Sequence, residues 1–244
     1  MTGTAPAPAR FADARVVVTG AAGGVGATLV EAFRREGARV VGTDVAPGDG
    51  LHQVDLRDAG AVLAFADAAV AELGGVDVLC NVAGVQRFAR VGDITADALR
   101  LHLDVNVVAP VLLTQALTPA LAESRGNVVT IASISAVLAQ PYNSPYCASK
   151  AAVLMAMRSL AIELAAHRVR VNCVSPGGIE TPMPHTSAAE LPADIDWNLL
   201  MRSQSAFPGF MPPGDVVESV LFLASSAAAS ITGSNLVVDR GVVW

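Results

Sequence analysis

The chain has 244 residues, 52% of them hydrophobic and 16% charged, with 16 Lys plus Arg against 22 Asp plus Glu and a formal net charge of −6. That length suits a single α/β domain, and the apolar content supports a large core. A negative balance with few basic residues argues against nucleic acid as a partner.

Met1 to Arg10 mixes small residues with proline and lacks the apolar centre of a signal peptide, so it reads as a disordered leader. Short Val-rich runs follow at Val16–Val18, Val40–Gly42, Val76–Leu79, Val128–Ile131, Val169–Val174 and Leu236–Val238. Helical patterning occupies 24–36, 58–73, 97–122, 145–166 and 214–225. Continuous apolar strands between helices predict a parallel sheet covered on both faces. The expected fold class is therefore α/β: a single-domain, Rossmann-like, doubly wound parallel sheet of about seven strands spanning 11–244, with ligands at its carboxyl edge. No internal repeat or second domain is visible. No run of eighteen apolar residues occurs, and the most apolar helix is broken by Arg158 and Glu163. The protein is expected to be soluble and cytoplasmic, with no membrane partner.

Three segments carry chemistry. The first is Arg15 to Val18, a short strand, followed by Thr19-Gly20-Ala21-Ala22-Gly23-Gly24-Val25-Gly26 and then a helix with Leu29, Val30 and Phe33 on one side. Glycines let backbone N–H groups approach a pyrophosphate, and the helix N-terminus favours its charge. Asp44 ends the next apolar run, eighteen residues beyond Gly26. That is close to the roughly 20-residue interval at which an acidic residue meets the adenosine ribose hydroxyls.

The second is Tyr146 and Lys150, four apart on one helix face, with Ser133 thirteen residues before the tyrosine. Ser144 is expected as the N-cap of this helix, with Pro145 at its first position. An ammonium beside a phenol favours the phenolate and pulls its pKa from about 10 toward neutrality. Lys150 is the only lysine in the chain; every other fixed cation is arginine. Its compact ammonium is therefore read as required rather than incidental. The third is Pro182 to Gly214, rich in proline yet carrying Met183, Leu191, Trp197, Leu199, Leu200, Met201, Phe207, Phe210 and Met211. Such a long apolar connection predicts a substrate lid with a helix near 194–205.

Together these residues resemble the short-chain dehydrogenase/reductase family over nearly the whole chain. Thr19, Gly20, Gly24 and Gly26 match its T-G-x-x-x-G-x-G loop, and Asn81-Val82-Ala83-Gly84 matches N-N-A-G except at Val82. Asn106, Ser133 and Tyr146-x-x-x-Lys150 match its catalytic set, Pro176-Gly177-Gly178-Ile179-Glu180-Thr181 its segment after the sixth strand. Ile231-Thr232-Gly233 and Val237-Val238-Asp239 match the C-terminal segment, with Arg240 where glycine is usual. Val82 is expected to loosen the central strands and Arg240 to alter a subunit contact.

The resemblance implies Tyr146 as acid/base, Ser133 holding the substrate oxygen, Lys150 holding the nicotinamide ribose, and Asn106 holding a proton-relay water. Asn106 capping a local kink is the alternative. It implies a cofactor site built from Thr19, Gly20, Gly24, Val25, Gly26, Asp44, Asp55, Asn81, Ala83, Gly84, Tyr146, Lys150, Pro176, Gly177, Ile179 and Thr181. Asp55 would meet the adenine ring, with a helix N-cap as the other reading, and Thr181 the nicotinamide amide. Asn81 and Gly84 would shape the loop over the adenosine ribose. Arg87, Gln140, Asn143 and Trp197 are candidates for the pocket wall, each with an ordinary surface or core role as the alternative.

The expected activity is NAD-dependent hydride transfer between the nicotinamide and a secondary alcohol or ketone. An NADPH-dependent ketoacyl-type reductase would want a cation at Gly23 or Val45, and a non-catalytic dinucleotide sensor would tolerate loss of Tyr146 or Lys150. The Asn81–Arg87 stretch also resembles dehydrogenases of carboxylated cyclic dihydrodiols. Cys80, Cys147 and Cys173 read as packing residues in a reducing compartment, and no metal site is assigned. Leu112, Leu113, Leu117, Leu154, Met155 and Met157 give the long helices more than one apolar face. That predicts a homo-oligomer, tetramer or dimer.

Overall fold

Alternation along the strands divides the core in two. In the computed structural model, which describes residues 9–181, 183, 191, 195–200, 205–207 and 209–242, β1 (Arg15–Thr19) sends Val17 to one face and Val16 and Val18 to the other. β5 (Asn127–Ile131) does the same with Val128 and Val129. The remaining strands are β2 (Arg39–Asp44), β3 (Leu51–Gln53), β4 (Val78–Asn81), β6 (Arg170–Pro176) and β7 (Asn235–Val238). They form one sheet in the order β3-β2-β1-β4-β5-β6-β7, and every pairing is parallel. The seven-stranded expectation holds. β3 is the strand that the apolar runs did not mark, because Leu51-His52-Gln53 at the sheet edge needs no buried faces.

One face carries α2 (Ala59–Leu73), α4 (Ala109–Ser124) and α5 (Ser144–Leu164), whose Phe65, Leu113, Leu117 and Met157 pack on the sheet. The other carries α1 (Gly24–Arg35) and α7 (Pro213–Ala224), with Leu29, Phe33, Val220 and Leu221 inside. Each such side chain contributes about 1.5–3 kcal/mol by leaving water. Phe33 also meets Phe11 edge-on at 4.8 Å. Arg10, counted with the leader above, pairs with Glu36, and residues 1–8 lie outside those described.

The helix expected over 97–122 is α3 (Ala96–Leu103), a π turn at Asp104–Val108, and α4 in continuous succession. Ala96–Ser124 is long and apolar enough to cross a membrane by length and composition. Here its Ala109, Leu113, Leu117 and Leu121 lie in the core. The N-cap of α5 is Asn143, one residue earlier than the expected Ser144, because Ser144 already has helical conformation and Pro145 fills the second position. Within the segment expected to form a lid, a short helix α6 spans Trp197–Leu200. Of the helix expected near 194–205, residues 197–200 are helical while 195, 196 and 205 are not; the rest of it, and the greater part of 182–204, lies outside the described residues.

β1 and β4 are neighbours, yet their connections leave in opposite directions along the sheet. That reversal opens a crevice at the carboxyl ends of the two strands, beside Thr19 and Asn81. α1 seats tightly there: a Cβ added at Gly26 would overlap the carbonyl of Gly20. Gly26→Ala should therefore lower unfolding free energy by about 1–3 kcal/mol, the usual cost of overpacking. Gly23→Ala, whose Cβ would meet nothing within 4 Å, should change it by less than about 0.5 kcal/mol. Urea unfolding of the two variants checks this; equal losses would contradict the packing.

Candidate active site

The glycine-rich turn is shaped for a ligand rather than for closure on itself. Gly20 and Gly24 have φ of +70° and +55°, a region costly for side chains. Gly20 has no room for one either, since its Cβ would stand 2.8 Å from Ala83 Cα. Gly23 caps α1 without a side-chain hydrogen bond, and no acidic residue sits in the first turn. The N–H groups there are left for an external anion. Asp44, at the end of β2, is aimed at this turn: its carboxylate accepts from Ala22 N–H at 3.0 Å and from Ala46 N–H at 3.0 Å. Thr19 is buried and its hydroxyl accepts from Val82 N–H and Ala83 N–H at 3.0 and 3.1 Å, which joins β1 to β4 across the crevice.

From the far side, Gly177 N–H donates to Val238 O after β6 ends at Pro176. Ile179 pairs with Met211, and Thr181 reaches over α1 so that a Cβ on Gly24 would lie 3.2 Å from its Cγ2. Val25 is buried in the core beneath the turn. The cradle, the uncapped helix and the carboxylate fit a dinucleotide, and Thr19, Gly20, Gly24, Gly26, Asp44 and Thr181, the residues expected to hold it, lie around this turn.

Two expected residues stand differently. Asp55 is paired with Arg57, and the N-cap of α2 is Asp58, whose Oδ1 accepts from Gly60 and Ala61 N–H; Asp55 is therefore not a cap. Asn81 is buried and donates to Thr130 Oγ1 at 3.2 Å and Thr114 Oγ1 at 3.5 Å, tying β4 to β5 and α4. Those bonds remain in place beside Val82, which packs on the core. The Asn81 side-chain oxygen, beside Val82, is buried without a hydrogen-bond partner among the described residues.

The catalytic candidates converge at the N-terminal end of α5. Tyr146 and Lys150 are both buried, at 8% and 3% exposure. Lys150 Nζ donates to Ile131 O at 2.9 Å and lies 5.7 Å from the Tyr146 ring centre. Ser133, extended at the end of β5, accepts from Ser135 N–H at 3.1 Å and hydrogen-bonds the Tyr146 side chain. Ser135 gives its own hydroxyl to Gln140 Oε1 at 2.9 Å, so it does not compete. Asn106 sits in the π turn, its Oδ1 accepting from Val85 N–H at 2.9 Å and its Nδ2 donating to Val85 O and Ser149 Oγ. Its two amide ends thus hold the Val85 N–H and carbonyl. Gly84 closes the group, since a Cβ there would lie 3.3 Å from Asn106 Oδ1 and 3.4 Å from Lys150 Nζ.

The electrostatics correct one expectation. Burial pushes the Tyr146 phenol up to about 12, and the Ser133 hydrogen bond only partly offsets it. The anticipated depression by Lys150 is absent, and the ammonium is hydrogen-bonded to Ile131 O. Burial lowers Lys150 itself to about 8. Desolvation thus outweighs the neighbouring charge in the protein alone.

Of the pocket candidates, Gln140 and Asn143 bond each other at 2.9 Å, and Trp197 is exposed. Arg87 lines a cavity of about 480 Å³ with Arg57, Asp97, Ala98, Arg100, Leu101 and Asp104. Two residues had no sequence signal. Tyr142 has φ of +61° and its hydroxyl accepts from Asp196 N–H at 3.2 Å; His102 is buried against Tyr146. Arg240 takes φ of +57°, where glycine would be unstrained, and its guanidinium donates to Phe210 O at 3.2 Å and faces Asp215 at 3.7 Å within its own chain. The three cysteines are free thiols. No group of His, Cys, Asp and Glu that could hold a metal occurs among the described residues.

A family model described as Enoyl-(Acyl carrier protein) reductase matches residues 20–243. The cis-4-hydroxycyclohexanecarboxylate dehydrogenase of Sinomonas cyclohexanicum is 35% identical over 95% of this chain and 97% of its own. A short chain dehydrogenase from Mycobacterium paratuberculosis bound to NAD is 28% identical, with a TM-score of 0.88, covering 95% of this chain and 98% of its own. Another from Burkholderia cenocepacia J2315, in complex with NADP, is 30% identical with a TM-score of 0.84 over the same shares. The chain belongs to the short-chain dehydrogenase/reductase family and is an oxidoreductase.

The buried ammonium has a measurable consequence. With Lys150 lowered from 10.5 to about 8, the folded state binds its proton less tightly than the unfolded chain. The destabilisation is full below about pH 8 and is relieved as pH rises toward 10. Lys150→Met should therefore make the cofactor-free protein more stable by about 1–3 kcal/mol at pH 7, after the lost bond to Ile131 O is counted. That gain should shrink by pH 10. Chemical unfolding at the two pH values tests it; a destabilised variant at pH 7 would contradict the account.

Proposed function

We propose that this protein is an NAD-preferring dehydrogenase that interconverts a secondary alcohol and a ketone, with Tyr146 exchanging the hydroxyl proton. The supporting observation is the meeting of Tyr146, Ser133 and Lys150 in one buried site. When bound, a nicotinamide dinucleotide supplies the hydride acceptor. Ser133, which receives Ser135 N–H and stands beside the Tyr146 phenol, would turn its hydroxyl to steady the substrate oxygen. Tyr146 takes the proton from that oxygen. For this the phenol must fall well below about 12, which requires added positive charge in a dry site. The oxidised nicotinamide would bring such charge when bound, adding to that of Lys150, whose Nζ lies 5.7 Å from the Tyr146 ring centre. Retention of both groups favours an enzyme over a sensor.

Asp44 supports NAD over NADP. Its carboxylate is fixed against the turn, and Gly23, Val45 and Ala46 offer no cation to meet a 2′-phosphate. The same absence weighs against an NADPH-dependent ketoacyl-type reductase. The base of the 182–214 segment is zipped by Met211 N–H to Gly178 O and Glu180 N–H to Met211 O, both at 2.9 Å, which supports a lid hinged beside the cofactor. Exposed Leu99, Leu103, Val108, Met155 and Ile162 on α3 to α5 support a homo-oligomer, tetramer or dimer. Free thiols suit a reducing cytoplasm.

Tyr146→Phe should keep the fold and cofactor affinity while lowering turnover by roughly 10²–10⁴-fold. Screening secondary alcohols with NAD by absorbance of the reduced cofactor checks it, and near-normal turnover would sink the assignment. For cofactor choice, kcat/KM should favour NAD by on the order of 10²-fold. Asp44→Ala should erode that ratio, chiefly by weakening NAD. Equal values for the two cofactors in the unaltered protein would reject this role of Asp44.

A further inference from the structure

His102 takes no part in the chemistry above, yet it is fully buried and uses both ring nitrogens. Nε2 accepts from Arg87 N–H at 3.1 Å, and Nδ1 lies 2.7 Å from Ala98 O. A carbonyl can only accept, so Nδ1 carries the proton and the imidazole is neutral. Its ring stands edge-on to Tyr146, with centres 6.3 Å apart.

The peptide it holds belongs to a wall of the site. Gly84 sits against Lys150 and Asn106, Asn106 grips Val85 from both sides, and Ala89 N–H donates to Tyr142 O at 2.8 Å. The 84–89 segment thus runs from the catalytic lysine to the residue that meets Asp196 in the lid region. His102 fastens the middle of that wall and braces the tyrosine with the same ring.

We propose that His102 is a positioning residue for the dehydrogenase reaction, holding the 84–89 wall and the Tyr146 ring in register for substrate, and doing so only as a neutral imidazole. This rests on the reading of Tyr146 as acid/base. A protonated ring would set an N–H against Arg87 N–H, so acid would release the wall. Burial lowers the ring's pKa most, the hydrogen bond to Ala98 O opposes it, and the positive charges of Arg87 from the wall and Lys150 from α5 add to the lowering. Release therefore belongs below the ordinary histidine range of about 6.5.

The test compares the unaltered protein with His102→Gln and His102→Leu. Gln places an acceptor near Nε2 and never titrates; Leu fills the space and leaves Arg87 N–H without a partner. Substrate kcat and KM, NAD KM and thermal stability are measured from pH 5 to 8, using the best secondary alcohol in the screen. Leu should lower kcat/KM for the alcohol roughly 10- to 100-fold, the scale of an unmet buried donor, with NAD KM nearly unchanged. Gln should recover most of that loss at pH 7.5. Substrate KM in the unaltered protein should climb as pH falls below 6.5, and Gln should flatten the climb. Equal Gln and Leu effects, or the same acid limb in the unaltered and Gln proteins, would overturn the proposal. Should Leu fail to fold, the two pH profiles decide. Absence of turnover in the unaltered protein would instead reject the proposed function, and this role with it.

Discussion

One ammonium held out of water is the constraint on which the site depends. Lys150 gives Nζ to Ile131 O at the end of a central strand, and Gly84, Asn106 and Tyr146 close around it. A lone charge in such a place is costly. The hydrogen bond to Ile131 O offsets part of that cost. The same burial that lowers Lys150 raises Tyr146. The two groups therefore hold their protons in opposite senses, and an added positive charge alters both.

The sheet makes that arrangement possible. Its order reverses between β1 and β4, so the glycine-rich turn after β1 and the Asn81–Gly84 turn after β4 face each other. Thr19 fastens them with one hydroxyl. The candidate catalytic side chains then come from the turn after β5 and from α5, while Thr181 and Gly177 arrive after β6. Polar bonds between neighbouring loops set these distances: Asn81 to Thr130, Asn106 to Val85, His102 to Arg87. Each spans many residues in sequence but only one layer in space.

Much of this was legible beforehand. Val-rich runs marked the buried strands because a doubly covered sheet favours apolar residues on both faces. Glycine spacing marked the cradle because Gly20 has a left-handed backbone with no room for a side chain. Tyr146 and Lys150 share a helix face by period alone. Other features were hidden because they arise from tertiary contact. β3 forms by pairing with β2 and carries no apolar pattern. The π turn at Asp104–Val108 coincides with the Asn106 grip on Val85, which local propensity does not record. The tyrosine pKa follows from burial, and spacing to a lysine could not reveal that Nζ turns to Ile131. His102 looked like any polar residue in a helix until its partners were in place.

The central claim is that burial keeps Tyr146 protonated until positive charge enters the site. Tyr146 and Tyr142 are the only tyrosines, so Tyr142→Phe leaves a single phenol to follow by ultraviolet difference absorbance. At pH 10 the cofactor-free protein should show almost no phenolate, and saturating oxidised NAD should produce a clear phenolate band. Half-ionisation at pH 10 without cofactor, or no change on adding NAD, would contradict the account.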